Sequence, residues 1–349
     1  MVQGPPLDRV LGCLLGGALG DALGYPVEFI GSHEEIARRF GAGPPARLAY
    51  AGPALVSDDT QMTMFVAEGL LRALQRERDR GFCDPHEIGL GALMRWYATQ
   101  SGAPPGDAPG WLVQDERLHA RRAPGTTCLS SLAWRAARHD RAAATNDSKG
   151  CGGVMRAAPF GFLASAEVAF EHAVVNARFT HGHPTGSLAA GHLAATVWHL
   201  ARGAAPAAAL DVADALLATR EDAAETAAAL EHARRAAEQP LDATAIEALG
   251  GGWIAEEALA IAVACFLAHA RGGASVAGTL WIAACHGGDS DSTAAITGNL
   301  LGAALGAGAL PEAWLAELEL RDALERLARD LHGGLIEGRR LDRTAYPPS

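Results

Sequence analysis

The chain has 349 residues, 49 % of them hydrophobic, and a formal net charge of −11. That is enough apolar material for a sizeable core, and the acidic balance argues against a protein that grips nucleic acid through a large basic patch. Aromatics make up only 6 %, and long runs of Ala and Gly favour closely packed helices over sheets.

The first helix is predicted from Leu7 to about Gly24. Within it Gly12, Gly16, Gly20 and Gly24 recur every fourth residue. They form one stripe along which a second backbone can approach closely, and tight core packing is the expectation. The apolar segment Val10–Leu19 is flanked by Arg9 and Asp21 and falls short of the roughly 20 residues that span a bilayer. Met1–Leu7 has no charged stretch before an apolar core. The expectation is a cytoplasmic protein that does not use a membrane.

A second helix is predicted over Thr60–Arg78, behind the capping residues Ser57-Asp58-Asp59. Further helices are predicted at Asp84–Thr99, Cys128–His139, Ala166–Arg178, Pro184–Arg202, Ala205–Thr219 and Arg220–Glu238. The last four are Trp253–Arg271, Ser275–Cys285, Ser292–Gly306 and Glu312–Leu331. Almost nothing alternates with period two, so short strands are allowed only near Leu48–Tyr50 or the tail. The Pro/Gly-rich stretch Gly102–Gly125 reads as a long irregular loop, either a lid or a surface excursion. Arg117, Arg121 and Arg122 in it are expected to form a solvated face. No linker divides the chain, so residues 1–349 are expected to form one all-α domain.

Six cysteines occur, none in a C-x-x-C pair, and buried free thiols are the expectation. Two acidic clusters carry the chemistry: Ser57-Asp58-Asp59-Thr60 and Gly287-Gly288-Asp289-Ser290-Asp291-Ser292-Thr293. Either alone is explained as well by helix capping as by metal binding. Together they offer only hard oxygen donors, which suit Mg²⁺, Mn²⁺ or Ca²⁺ rather than zinc. If they meet, the carboxylates repel, and two divalent cations would offset the charge. His286 beside the second cluster is expected to be a packed or supporting histidine rather than a ligand.

Gly150-Cys151-Gly152-Gly153-Val154-Met155-Arg156 is a glycine-rich loop of the kind that lets backbone N–H groups approach a phosphate. By itself the signal is weak. Arg156 pairs either with a phosphate or with a structural carboxylate, the latter being preferred. Thr180-His181-Gly182-His183-Pro184 precedes a helix, where the His pair either caps and packs or stacks on an aromatic base.

Taken together, these motifs resemble the ADP-ribosyl-acceptor hydrolases, which include the dinitrogenase reductase-activating glycohydrolases. The resemblance rests on Gly16–Phe29 (GGALGDALGYPVEF), Ser57–Thr60, Gly150–Arg156, Thr180–Gly186 and His286–Ser292, in that order across most of the chain. It implies an orthogonal multi-helix all-α fold with two divalent cations, Mg²⁺ or Mn²⁺. By motif, Ser57, Asp58, Asp59, Asp289, Asp291 and Ser292 are the implied metal ligands. Glu28 is an implied catalytic residue on a mobile loop flanked by Gly24 and Gly31, and Glu28, Asp58 or Asp59 would take the water's proton or protonate the leaving group. Gly150, Gly152 and Gly153 are the implied diphosphate loop, and His181 a contact on the adenine or ribose side. The implied reaction is metal-dependent removal of ADP-ribose from protein side chains, arginine-linked first. Serine-linked ADP-ribose, poly(ADP-ribose) and small ADP-ribosides are the alternatives. A toxin-neutralising immunity protein that acts partly by binding is the rival from another class.

Overall fold

The computed structural model describes residues 4–102, 110–138 and 142–348. All regular elements among them are helical. In chain order they are α1 (Leu7–Gly24), α2 (His33–Phe40), α3 (Asp58–Arg80), α4 (Pro85–Ser101), α5 (Thr126–Arg138), α6 (Ala166–Arg178), α7 (Pro184–Ala201) and α8 (Pro206–Leu217). They continue with α9 (Ala224–Ala236), α10 (Ala243–Glu247), α11 (Ala255–Ala270), α12 (Val276–Ala284), α13 (Ser290–Leu305), α14 (Glu312–Leu315) and α15 (Arg321–Leu331). No strand forms among the described residues, and the segment 48–50 is a turn. A lone antiparallel bridge joins Gly150 to Ile254.

The centre of the molecule is the antiparallel pair α1 and α13. Residues 12–24 of α1 and 290–303 of α13 are all buried. The glycine stripe is what lets the two backbones meet. A Cβ on Gly16 would lie 2.3 Å from the carbonyl oxygen of Gly298, and one on Gly298 would lie 1.9 Å from that of Gly16. At the far end Gly12 faces Gly302 in the same way, and at the near end Gly24 faces Ser290 and Asp291. Asn299 Nδ2 donates to the Cys13 carbonyl at 2.8 Å and fixes the register. Helices α7 and α11 pack on α13, α15 and α12 on α1, and α3 joins α4 beside them.

Leu7–Val27, which extends beyond the apolar segment Val10–Leu19 at both ends, is long and apolar enough to cross a membrane by length and composition. Yet 83 % of its apolar window lies inside the fold, as a central core helix must.

Other differences have local causes. The run predicted over Glu312–Leu331 breaks into α14 and α15, because Leu320 adopts a left-handed backbone with φ 61°. Two short helices were not predicted. α2 buries only Ile36, and α10 is a single turn that likewise buries one isoleucine, Ile246. The stretch 102–125 is less irregular than expected. Residues 103–109 lie outside the described residues, but Leu112 and Leu118 are fully buried in short helical turns.

If the glycine contact sets the helix spacing, Gly298→Ala should destabilise the protein by about 1–3 kcal/mol or more, the cost of overpacking a close contact. Gly308→Ala, where nothing lies within 4 Å of an added Cβ, should change stability by less than about 0.5 kcal/mol. Denaturant unfolding of the two variants compares them directly; equal midpoints would contradict the assignment.

Candidate active site

The two acidic motifs open α3 and α13, and the helix packing brings both N-termini to one cleft. Ser57 is the N-cap of α3, and its hydroxyl accepts from Asp59 N at 3.2 Å. Asp58 and Asp59 occupy the first turn. Asp289 is the N-cap residue of α13 but makes no side-chain capping bond, so capping does not account for its carboxylate. Its Oδ2 accepts instead from the Cys151 thiol at 2.8 Å. Asp291 and Ser292 follow in the first turn, and Ser292 N donates to Asp291 Oδ1 at 2.9 Å.

α1 delivers two further acids. Asp21, near its C-terminal end, is fully buried and accepts from Ser57 N and Thr60 N at 3.0 Å. It therefore fixes the start of α3. Nothing in the motif reading singled Asp21 out beyond its place in the Gly-Asp block. The available signal was an acid inside an otherwise apolar helix. Glu28 follows a short turn, Tyr25–Val27, directly after α1. Carboxylate oxygens of Glu28, Asp289 and Asp291 all lie within 4.8 Å of one another. Gly24 does not act as a flexible flank to Glu28, because it is pressed against α13; Gly31, on the other side, has open space around it.

The cleft encloses about 450 Å³ and is lined by Glu28, Asp58, Asp59, Asp289, Asp291 and Ser292. Gly150, Gly152 and His181 lie on its wall, together with Arg121 and the segment from Ala123 to Cys128. At its rim Phe29 stacks on Trp253 with ring centroids 6.3 Å apart. Gly152 has no room for a side chain, since a Cβ would lie 2.6 Å from Cys128 Sγ and 3.0 Å from His181 Cε1. Gly153 does not line the cleft. It faces Ala177 and the Gly186 carbonyl, so its smallness serves packing.

Arg156 pairs with neither a phosphate nor a carboxylate. Fully buried, it donates to the Gly152 carbonyl, to Asn176 Oδ1 at 2.9 Å, to Asn176 O at 3.0 Å and to Thr180 Oγ1 at 2.9 Å. It holds the glycine loop against α6. Thr180 Oγ1 also bonds His181 Nδ1 at 2.8 Å. Burial, aided by Arg156, pushes His181 down to about 3, so it is neutral. His183 caps α7 by accepting from Thr185 N. His286 is buried and bonded to Thr293 Oγ1 at 2.9 Å. The arginine cluster is not a uniform solvated face, because Arg122 is partly buried against Glu319 and Val56 O.

The electrostatics are severe. Burial, then the facing Asp291, raises Asp58, Asp59 and Asp289 well above the carboxylate range. Burial pushes Glu28 up to about 10, reinforced by Asp291, Asp289, Asp58 and Asp21. Asp21 rises to about 7 through burial and Asp291, although bonds from Thr60 and Ser57 pull it down. Glu28 Oε2 and Asp59 Oδ2 are buried without a hydrogen-bond partner. Unsatisfied buried carboxylate oxygens are costly. An all-oxygen set with orphaned acid atoms at the positive ends of two helices therefore fits hard divalent cations. Soft sulfur donors also line the cleft: Cys151, Cys128 and Met155.

The chain has relatives among known proteins. The family model described as ADP-ribosylglycohydrolase matches residues 3–340. A protein of Archaeoglobus fulgidus, described as uncharacterized, is 28 % identical over 332 residues, covering 93 % of this chain and 96 % of its own length. A solved structure described as an ADP-ribosylglycohydrolase-related protein complex superposes with a TM-score of 0.67 at 28 % identity, covering 93 % of this chain and 97 % of that one.

A carboxyl group with a raised pKa holds a proton in the folded state that the unfolded chain would release. Its stabilising contribution is full below the unfolded value and is lost as pH rises through the folded one. For Asp21 that window runs from 3.8 to about 7, and for Glu28 from 4.5 to about 10. In chelator the thermal midpoint should fall as pH is raised from about 5 to about 9, and Mg²⁺ or Mn²⁺ should reduce that fall. A midpoint in chelator that is flat over this range, or insensitive to the cations, would contradict the charge assignment.

Proposed function

Since this chain belongs to the ADP-ribosylglycohydrolase family, we propose that it is a metal-dependent hydrolase that removes ADP-ribose from modified protein side chains. The bond cleaved is N- or O-glycosidic, with arginine-linked ADP-ribose the favoured substrate. The observation that carries this reading is the meeting of Glu28, Asp289 and Asp291 with Asp58 and Asp59 in one cleft beside a glycine loop.

Ser57, Asp58, Asp59, Asp289, Asp291 and Ser292 would hold two divalent cations, Mg²⁺ or Mn²⁺. Such cations supply charge that draws in vicinal ribose hydroxyls and eases deprotonation of a water. The chain's own groups do the rest. Asp21 anchors the turn that carries Asp58 and Asp59, so both acids keep a fixed position. Glu28, Asp58 and Asp59 are the candidates to take the water's proton or to protonate the leaving group as an oxocarbenium-like charge develops at the anomeric carbon. Gly150 and Gly152 give a diphosphate close access to the backbone, and the neutral His181 lies beside them on the wall as the adenine- or ribose-side contact.

We take residues 1–349 as one domain. Six unpaired thiols suit the reducing cytoplasm, where we place the reaction. A volume of about 450 Å³ falls within the range of small-ligand sites.

The reading is tested by offering the purified protein arginine-, serine- and thymidine-linked ADP-ribose with Mg²⁺, Mn²⁺ or chelator and measuring free ADP-ribose. Release should need a cation and be fastest from arginine. Serine-linked, polymeric or small ADP-ribosides processed faster would move the acceptor assignment. Replacing Asp58 and Asp59 together by Ala should cut the rate by about 10²–10⁴-fold, the scale of acid–base catalysis. Full activity in that variant would refute the site.

A further inference from the structure

Three arginines lie close together in the sequence, at positions 117, 121 and 122, and two of them are neutralised. Arg117 pairs with Asp115 at 2.7 Å and with Asp322 at 2.8 Å. Arg122 pairs with Glu319 and donates to the Val56 carbonyl at 2.9 Å. Arg121, between them, is exposed and has no ion pair or hydrogen bond among the described residues. It is also the one Arg or Lys among the residues that line the cleft.

The backbone that carries Arg121 is fixed to the acidic floor. Asp58 N donates to the Arg122 carbonyl at 3.3 Å. Gly125 N donates to Asp58 Oδ2 at 3.2 Å. Between them Ala123 holds a left-handed conformation at φ 47°, uncommon for a residue with a side chain. The floor acids Glu28, Asp58, Asp59, Asp289 and Asp291 are each no more than 6 % exposed. The guanidinium stays out at the mouth and forms no salt bridge with any of them. A cation with no ion-pair partner among the described residues, on a fixed loop that lines the cleft, complements an anionic ligand.

We propose that Arg121 is a substrate-binding residue that receives an oxyanion of the bound ADP-ribosyl compound. This rests on the hydrolase reading above. The planar fork of the guanidinium suits phosphate and carboxylate oxygens, which it can bind through two parallel N–H groups. The oxyanion has two chemical sources. One is the diphosphate of the ADP-ribosyl group. The other is an acidic group beside the modified side chain on the acceptor.

The test uses Arg121→Gln and Arg121→Lys, with Arg80→Gln as a control for net charge. Arg80 is exposed at the other end of α3, on the order of 30 Å from Asp58 at the rise of an α-helix. Calorimetry with Mg²⁺ measures binding of free ADP-ribose and of ADP. Steady-state assays compare ADP-ribosylated peptides with acidic and with neutral flanks. If the oxyanion is the diphosphate, Arg121→Gln weakens ADP-ribose and ADP binding by about tenfold, as expected for one charge-assisted hydrogen-bonding group. KM then rises by a similar factor on every peptide while kcat stays within about twofold. If the oxyanion belongs to the acceptor, ADP-ribose binding is unchanged and KM rises only for acid-flanked peptides. Arg121→Lys should fall between wild type and Arg121→Gln in either case.

Arg121→Gln behaving like Arg80→Gln in both binding and KM would overturn the proposal and leave the hydrolase reading standing. A wild-type protein that binds ADP-ribose through Arg121 but hydrolyses no substrate would overturn the hydrolase reading alone. A wild-type protein that binds no ADP-ribose would overturn both.

Discussion

The close contact of α1 with α13 fixes almost everything else. With Gly16 and Gly298 facing each other's carbonyl oxygens, neither helix can rotate or slide without a clash. The pair is antiparallel, so the C-terminal end of α1 lies beside the N-terminal end of α13. That single relation sets Asp21 and the Glu28 turn next to Asp289, Asp291 and Ser292. Asp21 then reaches across to the backbone of Ser57 and Thr60, which brings in the start of α3. A packing feature of small residues thus becomes the ruler that spaces the acids.

What the packing assembles is electrostatically unfavourable unless something compensates. Five acids line one cleft and a sixth, Asp21, lies behind them. Burial and mutual repulsion push most of them toward their protonated forms. The positive ends of α3 and α13 offset part of this. The orphaned oxygens of Glu28 and Asp59 show that the protein's own donors do not offset the rest. Protons or divalent cations must do so, and the fold leaves both options available at neutral pH. Such strain is what a binding site stores when its partner is a cation.

Much of this was legible in the sequence, because the two acidic motifs are short and each sits at a helix start. The every-fourth-residue glycines revealed a close helix contact but not the partner helix, since Gly298 and Gly302 were not connected to them by spacing alone. Asp21 was hidden because a lone acid at the end of an apolar run looks like a flank. Arg156 has neutral partners, the Gly152 and Asn176 carbonyls, the Asn176 side chain and the Thr180 hydroxyl, which no charge pattern announces. Gly153 shares a motif with Gly152 yet faces the opposite way, a distinction that depends on the turn between them. The break at Leu320 carries no Gly or Pro signal. α2 was visible only through Ser32 and the charge order from Glu34 and Glu35 to Arg38 and Arg39.

The central claim is that two distant acidic motifs hold paired cations in one cleft. Anomalous diffraction from crystals grown with Mn²⁺ tests it most directly. The account predicts two peaks roughly 3.5–4 Å apart, the spacing of paired catalytic metals, bounded by Asp58, Asp59, Asp289 and Asp291. Manganese bound elsewhere, or no anomalous density between the starts of α3 and α13, would contradict it.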